Sequence, residues 1–177
     1  MSWKIKSSKE VYKNRWMTIT EDVITSESGH DFTYGTVHKK PAVAIIAVDG
    51  DFTYLVNEYR HPVNTNVWGF PQGHFEHDSI EVAAKHELQE EAGVTAKKMT
   101  EIGRFFLAPG HNTQQYRVYM ATGITIGRNN PEDDEEGLTT RKVSFKQLEK
   151  MIDNGQFADG PSLACYQIFK SYLKKTT

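Results

Sequence analysis

Glu87, Glu90 and Glu91 stand at positions i, i+3 and i+4 of the stretch GFPQGHFEHDSIEVAAKHELQEEAGV, residues 69–94. On an α-helix that spacing gathers three carboxylates on one face. Carboxylate oxygens are the ligands of hard divalent cations, and Mg2+ is usually held by one or two of them together with substrate phosphates. The competing reading is three ordinary surface charges. The helix alone leaves both open.

The element that must carry these residues is well bounded in the sequence. Asp78 is placed to cap its N-terminus, with Glu81 three residues on as the partner of a capping box. Ile80, Ala84 and Leu88 make one apolar stripe. Gly93 supplies the C-terminal stop. The three glutamates point on average about 60–70° from the apolar stripe, so they flank the buried side. They also crowd the C-terminal end, where the helix dipole disfavours negative charge and each like-charge pair costs roughly 0.2–0.5 kcal/mol. A bound cation would offset both costs. The zinc-protease helix signature is only half matched: His86-Glu87-Leu88-Gln89-Glu90 has glutamate where that helix needs its second histidine. His74 and His77, in a polar turn, read as solvated.

The rest of the chain alternates strands and helices. Met17 to Ile24 and Phe32 to Val37 read as a hairpin turning at residues 27–31. Ala42 to Val48 is apolar throughout and reads as a strand buried on both faces. Asp49-Gly50-Asp51 predicts a tight turn into a pairing strand over Phe52 to Tyr59, ended by Pro62. Glu101 to Leu107 and Tyr116 to Ala121 read as strands, and residues 129–137 as an acidic loop. A short strand over Lys142 to Phe145 leads into a helix over about residues 145–153, capped by Ser144 with Gln147. A last helix runs from about Pro161 to Lys174, with Leu163, Ile168, Phe169 and Leu173 as its inner face.

Composition bounds the class. The 177 residues suffice for one domain with a core, and 38% hydrophobic with 25% charged residues is ordinary for a soluble protein. A net charge of −2 gives no reason to expect nucleic acid or an anionic membrane as partner. One cysteine, Cys165, allows no internal disulfide and fits a reducing compartment; its apolar neighbours make it a buried structural thiol. With no apolar start and no run near the roughly 20 residues that span a bilayer, the expectation is a cytoplasmic protein without a leader.

Residues 73–94 resemble the Nudix box, G-x5-E-x7-R-E-U-x-E-E-x-G-U with U aliphatic: Gly73 fits the opening glycine, and Glu87 to Val94 fit the end unbroken. Asp78 stands for the box's first glutamate, His86 for its arginine, and the turn between Gly73 and Asp78 is one residue short. The resemblance covers about residues 11–173. Its further segments are Val11-Tyr12-Lys13-Asn14-Arg15-Trp16, Glu58-Tyr59-Arg60-His61-Pro62, Trp68 to Gly73 and Ala108-Pro109-Gly110. They are similar to the ADP-ribose and nucleotide-sugar pyrophosphatase branch, as is Pro109 sixteen residues after Gly93. Gly69 stands where many members of that branch carry glutamate.

The resemblance implies an α/β/α sandwich of the α+β kind with a mixed sheet and an N-terminal β-hairpin region. The expectation is a single domain over residues 1–177, its first 40 residues serving as a dimerisation element in a homodimer. It implies Mg2+, with Mn2+ as the alternative, bound by Glu87 and Glu91 directly, by Glu90 directly or through water, and by the backbone carbonyl of Gln72. The branch draws its general base from a late acidic loop, here Asp134 or Glu135, while Glu136 matches a late metal-contacting glutamate; a solvated acidic turn is the other reading of all three. Arg60 is the candidate phosphate contact, with a surface ion pair as its other reading. Trp68 is a candidate for stacking on the base, or core, and Pro109 marks the substrate side. Tyr59, Phe106 and Arg104 are lesser candidates. His86 with Asp78 would brace the loop. The implied activity is cleavage of ADP-ribose or a nucleoside diphosphate sugar into a nucleoside monophosphate and a sugar phosphate. The rivals are a housecleaning hydrolase of nucleoside triphosphates or dinucleoside polyphosphates, and a non-catalytic nucleotide-sugar sensor.

Overall fold

Lys4–Lys13 (β1), Met17–Thr25 (β2) and Asp31–Lys39 (β3) form an antiparallel sheet in the order β1-β2-β3. The computed structural model describes residues 3–75, 79–128 and 137–176. The chain divides into two compact units, Met1–Pro41 with Phe106–Gln115, and Ala42–Phe105 with Tyr116–Thr177. In the first, β2 and β3 make the expected hairpin, from Met17 opposite Lys39 to Thr25 opposite Asp31. Gly29, at φ 82°, takes the left-handed conformation of its turn. Strand β1 carries no apolar alternation because every one of its residues is exposed. The Pro109-Gly110 loop belongs to this unit, where Val37 N–H donates to His111 O and Thr113 N–H to Val37 O.

The second unit is built around Ala42–Ala47 (β4), all of it buried. Ala42, Ala44 and Ile46 face one apolar cluster; Val43, Ile45 and Ala47 face another. Full burial of each larger side chain contributes roughly 1.5–3 kcal/mol. The remaining elements are Phe52–Arg60 (β5), Thr65–Gly69 (β6), Gln72–His74 (β7), Ile80–Ala92 (α1), Val94–Phe106 (β8), Gln115–Ile126 (β9), Thr139–Ser144 (β10), Phe145–Asp153 (α2) and Gly160–Thr176 (α3). One sheet has the order β7-β4-β9-β8, mixed because β4 runs parallel to β9 and antiparallel to β7. The other has the order β10-β5-β6. Ala84, Leu88 and Ala92 of α1 join the cluster on one face of β4. Leu148 and Met151 of α2, with Cys165, Tyr166 and Phe169 of α3, join the cluster on the other. This is the layered mixed α/β architecture expected.

Three local expectations are corrected. The Asp49-Gly50-Asp51 turn forms, with Asp49 bridged to Phe52, but β4 and β5 enter different sheets. Both edges of β4 are already taken, by β7 and β9, so it has none to offer β5. Strand β8 begins at Val94, directly after α1, rather than at Glu101. Helix α3 buries Ser162, Cys165, Tyr166 and Phe169, while Leu173 is exposed. Polar groups in that stripe hid it: Ser162 and the Tyr166 hydroxyl are satisfied by Asp159 and Glu149. The Ser144–Gln147 capping box at α2 is present in both directions.

Candidate active site

Helix α1 starts one residue later than expected. Ser79, not Asp78, is the N-cap, its hydroxyl accepting from Val82 N–H at 3.3 Å. Serine serves this purpose as well as aspartate. Asp78 lies outside the described residues. At the other end Gly93, at φ 64°, closes the helix by donating to the Gln89 and Leu88 carbonyls. Thr140 Oγ1 donates to the Glu91 carbonyl at 2.9 Å, tying the last turn to β10. These contacts fix both the rotation and the end point of the face that carries the glutamates.

The segment facing that helix is Gly69 to His74. Gln72 and Gly73 pair with Ala44 and Val43 of β4. Ile45 N–H donates to Pro71 O at 2.9 Å, and Ser162 Oγ of α3 accepts from Phe70 N–H at 2.9 Å. The turn is thereby held from the sheet and from α3.

Two of the three glutamates meet this segment. The Glu87 carboxylate lies against Gly73, in space that any side chain at residue 73 would need. Glu91 is 2% exposed, and its Oε2 accepts from Gln72 N–H at 3.0 Å. A buried carboxylate needs such donors, because desolvating the charge is costly. Glu90 instead takes Nδ1 of His86 at 2.7 Å, an i, i+4 pair. His86 therefore contacts the acidic face itself.

The surroundings add groups that the sequence reading passed over. Asp159, at the start of α3, accepts Gln72 Nε2 at 3.1 Å, Ser162 N–H at 2.9 Å and Ser162 Oγ at 2.6 Å. Its place before Gly160-Pro161 is a helix-start signal that could have drawn notice. Tyr116 of β9 is pushed up to about 12 by burial and by the charges of Asp159 and Glu91, against the opposing charge of Arg60. Its phenol therefore stays protonated.

The other sequence candidates sit as follows. Arg60 forms a two-pronged ion pair with Glu58, at 2.8 and 2.7 Å, the surface reading offered for it. Trp68 is half-buried and packs on the core. Tyr59 is exposed and donates to Asn64 Oδ1 at 2.9 Å. Phe106 is exposed. Arg104 lines a groove of about 270 Å³ between β8 and α3. Pro109 belongs to the other unit. Asp134, Glu135 and Glu136 lie outside the described residues. Cys165 is fully buried, and burial raises its thiol pKa well above the ordinary value.

Among the described residues no three His, Cys, Asp or Glu side chains are gathered as a ready cation cage. The donor chemistry still suits a hard cation. Glu87 and Glu91, one helical turn apart, both reach the Gln72-Gly73 backbone, and Gly73 leaves the space a β-carbon would fill.

Comparison with known proteins gives the family. Residues 38–164 match the NUDIX domain model, and residues 3–37 match the nucleoside diphosphate sugar hydrolase N-terminal domain. The chain is 24% identical to an ADP-ribose pyrophosphatase of Bacillus subtilis (strain 168), over 93% of this chain and 90% of that one. It is 25% identical to an ADP-ribose pyrophosphatase of Mycobacterium tuberculosis, over 89% and 78%. A solved structure described as an ADP compounds hydrolase superposes with a TM-score of 0.88 at 19% identity, over 99% of this chain and 96% of that one, which shows a common fold. Since the NUDIX model spans well over half its length, the chain belongs to the Nudix hydrolase family.

Proposed function

We propose that the protein is a Mg2+-dependent pyrophosphohydrolase of ADP-ribose or a nucleoside diphosphate sugar, releasing a nucleoside monophosphate and a sugar phosphate. The observation that carries this reading is the approach of Glu87 and Glu91 to the Gln72-Gly73 backbone. The match of residues 3–37 to a nucleoside diphosphate sugar hydrolase N-terminal domain supports the substrate class, as do relatives named for ADP-ribose.

Glu87 and Glu91 would hold the cation, with Gln72 O and Glu90 completing the protein's share. Mn2+ has the same ligand preferences and would substitute. When bound, the cation neutralises the diphosphate and lowers the pKa of a water on it. The residues do the rest by placement. Gln72 N–H fixes the Oε2 of Glu91. His86 aims Glu90. Asp134 or Glu135 takes the proton from the attacking water, and Glu136 adds a late carboxylate to the site. Arg60, released from Glu58 or sharing with it, grips a phosphate oxygen. Trp68 shapes the base side. The N-terminal sheet pairs two copies into a homodimer. Among the described residues no helix is long and apolar enough to cross a membrane.

The test is a product analysis. The purified protein is incubated with Mg2+ and ADP-ribose, UDP-glucose, GDP-mannose, dinucleoside polyphosphates or nucleoside triphosphates, and the products are resolved by chromatography and phosphorus NMR. AMP with ribose 5-phosphate, or the matching pair from a sugar nucleotide, is expected. Pyrophosphate released from triphosphates, with sugar nucleotides untouched, would establish the housecleaning reading instead. Binding without turnover would establish a sensor.

A further inference from the structure

We propose that Asp159 is a positioning residue for the cation site, acting through the side chain of Gln72 on the backbone that holds Glu91. The inference rests on the metal reading of Glu91 given above.

The contacts form one chain. Asp159 Oδ2 accepts Ser162 N–H, Ser162 Oγ and Gln72 Nε2. Ser162 Oγ, donating to Asp159, accepts Phe70 N–H in turn. The first turn of α3 thus grips residues 70 and 72, on either side of Pro71. Gln72 then delivers its backbone N–H to Glu91 Oε2. A shift of the Gln72 backbone would turn the Glu91 carboxylate with it.

Two further observations favour a dedicated contact over casual packing. Gln72 Oε1 is buried with no hydrogen-bond partner. Turning the amide over would face its oxygen to the Asp159 carboxylate, which only accepts. Asp159 therefore dictates the amide's orientation and leaves a buried acceptor unsatisfied. Gly69 is the second. A β-carbon there would lie 3.0 Å from Ser162 Oγ and 3.5 Å from both Asp159 Oδ2 and Gln72 Nε2. The missing side chain at residue 69 is what lets α3 come this close to the turn.

The test separates capping from positioning. Ser at 159 still caps α3 but is too short to reach Gln72; Asn caps as well and keeps an acceptor oxygen at full reach. Mn2+ binding to the apo protein is measured by electron paramagnetic resonance, alongside thermal unfolding and kcat and KM on the best substrate of the panel. D159S should unfold within a few degrees of wild type yet bind Mn2+ about tenfold more weakly, with the loss in kcat larger than any change in KM. D159N should recover to within about threefold of wild type. Q72A should match D159S, and the double variant should be no worse than either single one. Wild-type Mn2+ affinity in D159S, or additive losses in the double variant, would overturn the inference while leaving the metal site standing. A wild-type protein that binds no Mn2+ would overturn the metal reading, and this inference with it.

Discussion

The Glu87 carboxylate occupies the place where a side chain on Gly73 would begin. The opening glycine of the box and its first metal-type glutamate are fourteen positions apart in sequence and in contact in the fold. The glycine is needed for close approach, since its φ does not lie in the left-handed region.

Gly73→Ala should therefore push Glu87 away from β7 or part β7 from α1. Overpacking of this kind costs about 1–3 kcal/mol, and a displacement near 1 Å at a site costs about 100-fold in rate. kcat/KM and the unfolding midpoint measured on the same preparation check this. Unchanged kinetics in G73A would show that the Glu87 position is not used.

Glu91→Gln keeps an oxygen that can accept from Gln72 N–H, so the fold should survive with a few degrees lost from the midpoint. The buried charge is gone, and turnover should fall about 10³-fold, the several kcal/mol expected of a site that loses its cation. Circular dichroism and a product assay decide it. Near-normal turnover would remove Glu91 from the metal set.

Asp49 and Lys142 are paired at 2.6 Å at the β5–β10 end of the second unit. The hydrogen bond from Lys142, then that from Tyr54, lowers the Asp49 pKa below its ordinary 3.8. Asp49 in turn raises Lys142 above its ordinary 10.5. The Asp49 contribution is complete above 3.8 and is lost as pH falls through its lower folded value. The Lys142 contribution is complete below 10.5 and is lost as pH rises through its higher folded value. The midpoint difference between wild type and K142M should thus be flat from about pH 5 to 9 and shrink at both extremes. A difference that grew toward either extreme would contradict the pairing.

Cys165 should be silent toward thiol reagents in the native protein. It is fully buried, and burial holds the thiol in its unreactive protonated form. Titration with a disulfide reagent at pH 8 should give no fast phase until denaturant is added. Prompt native labelling would mean that the α3 face opens readily.

Much of the local structure was legible. The apolar run of β4, the Ser144–Gln147 box and the Gly93 stop are short-range signals, each set by a few neighbouring residues. The i, i+3, i+4 glutamates and the opening glycine likewise made the family readable from one stretch. What misled was also local. A good turn at Asp49-Gly50 implied a paired hairpin, because sequence does not say whether a strand's edges are already occupied. Asp78 and Ser79 are both good caps, and a single residue's offset decided between them.

The sequence by itself determined which residues can ligate a cation and that they share one helical face, since both follow from residue type and the helical repeat. Only the tertiary structure decided that Glu91 is buried on Gln72 N–H and that Glu87 fills the hollow of Gly73. It alone brought Asp159, 87 residues from Gln72 in the chain, onto that side chain. A hydrogen bond at that separation depends on how β4, α1 and α3 pack together, and no local pattern encodes it.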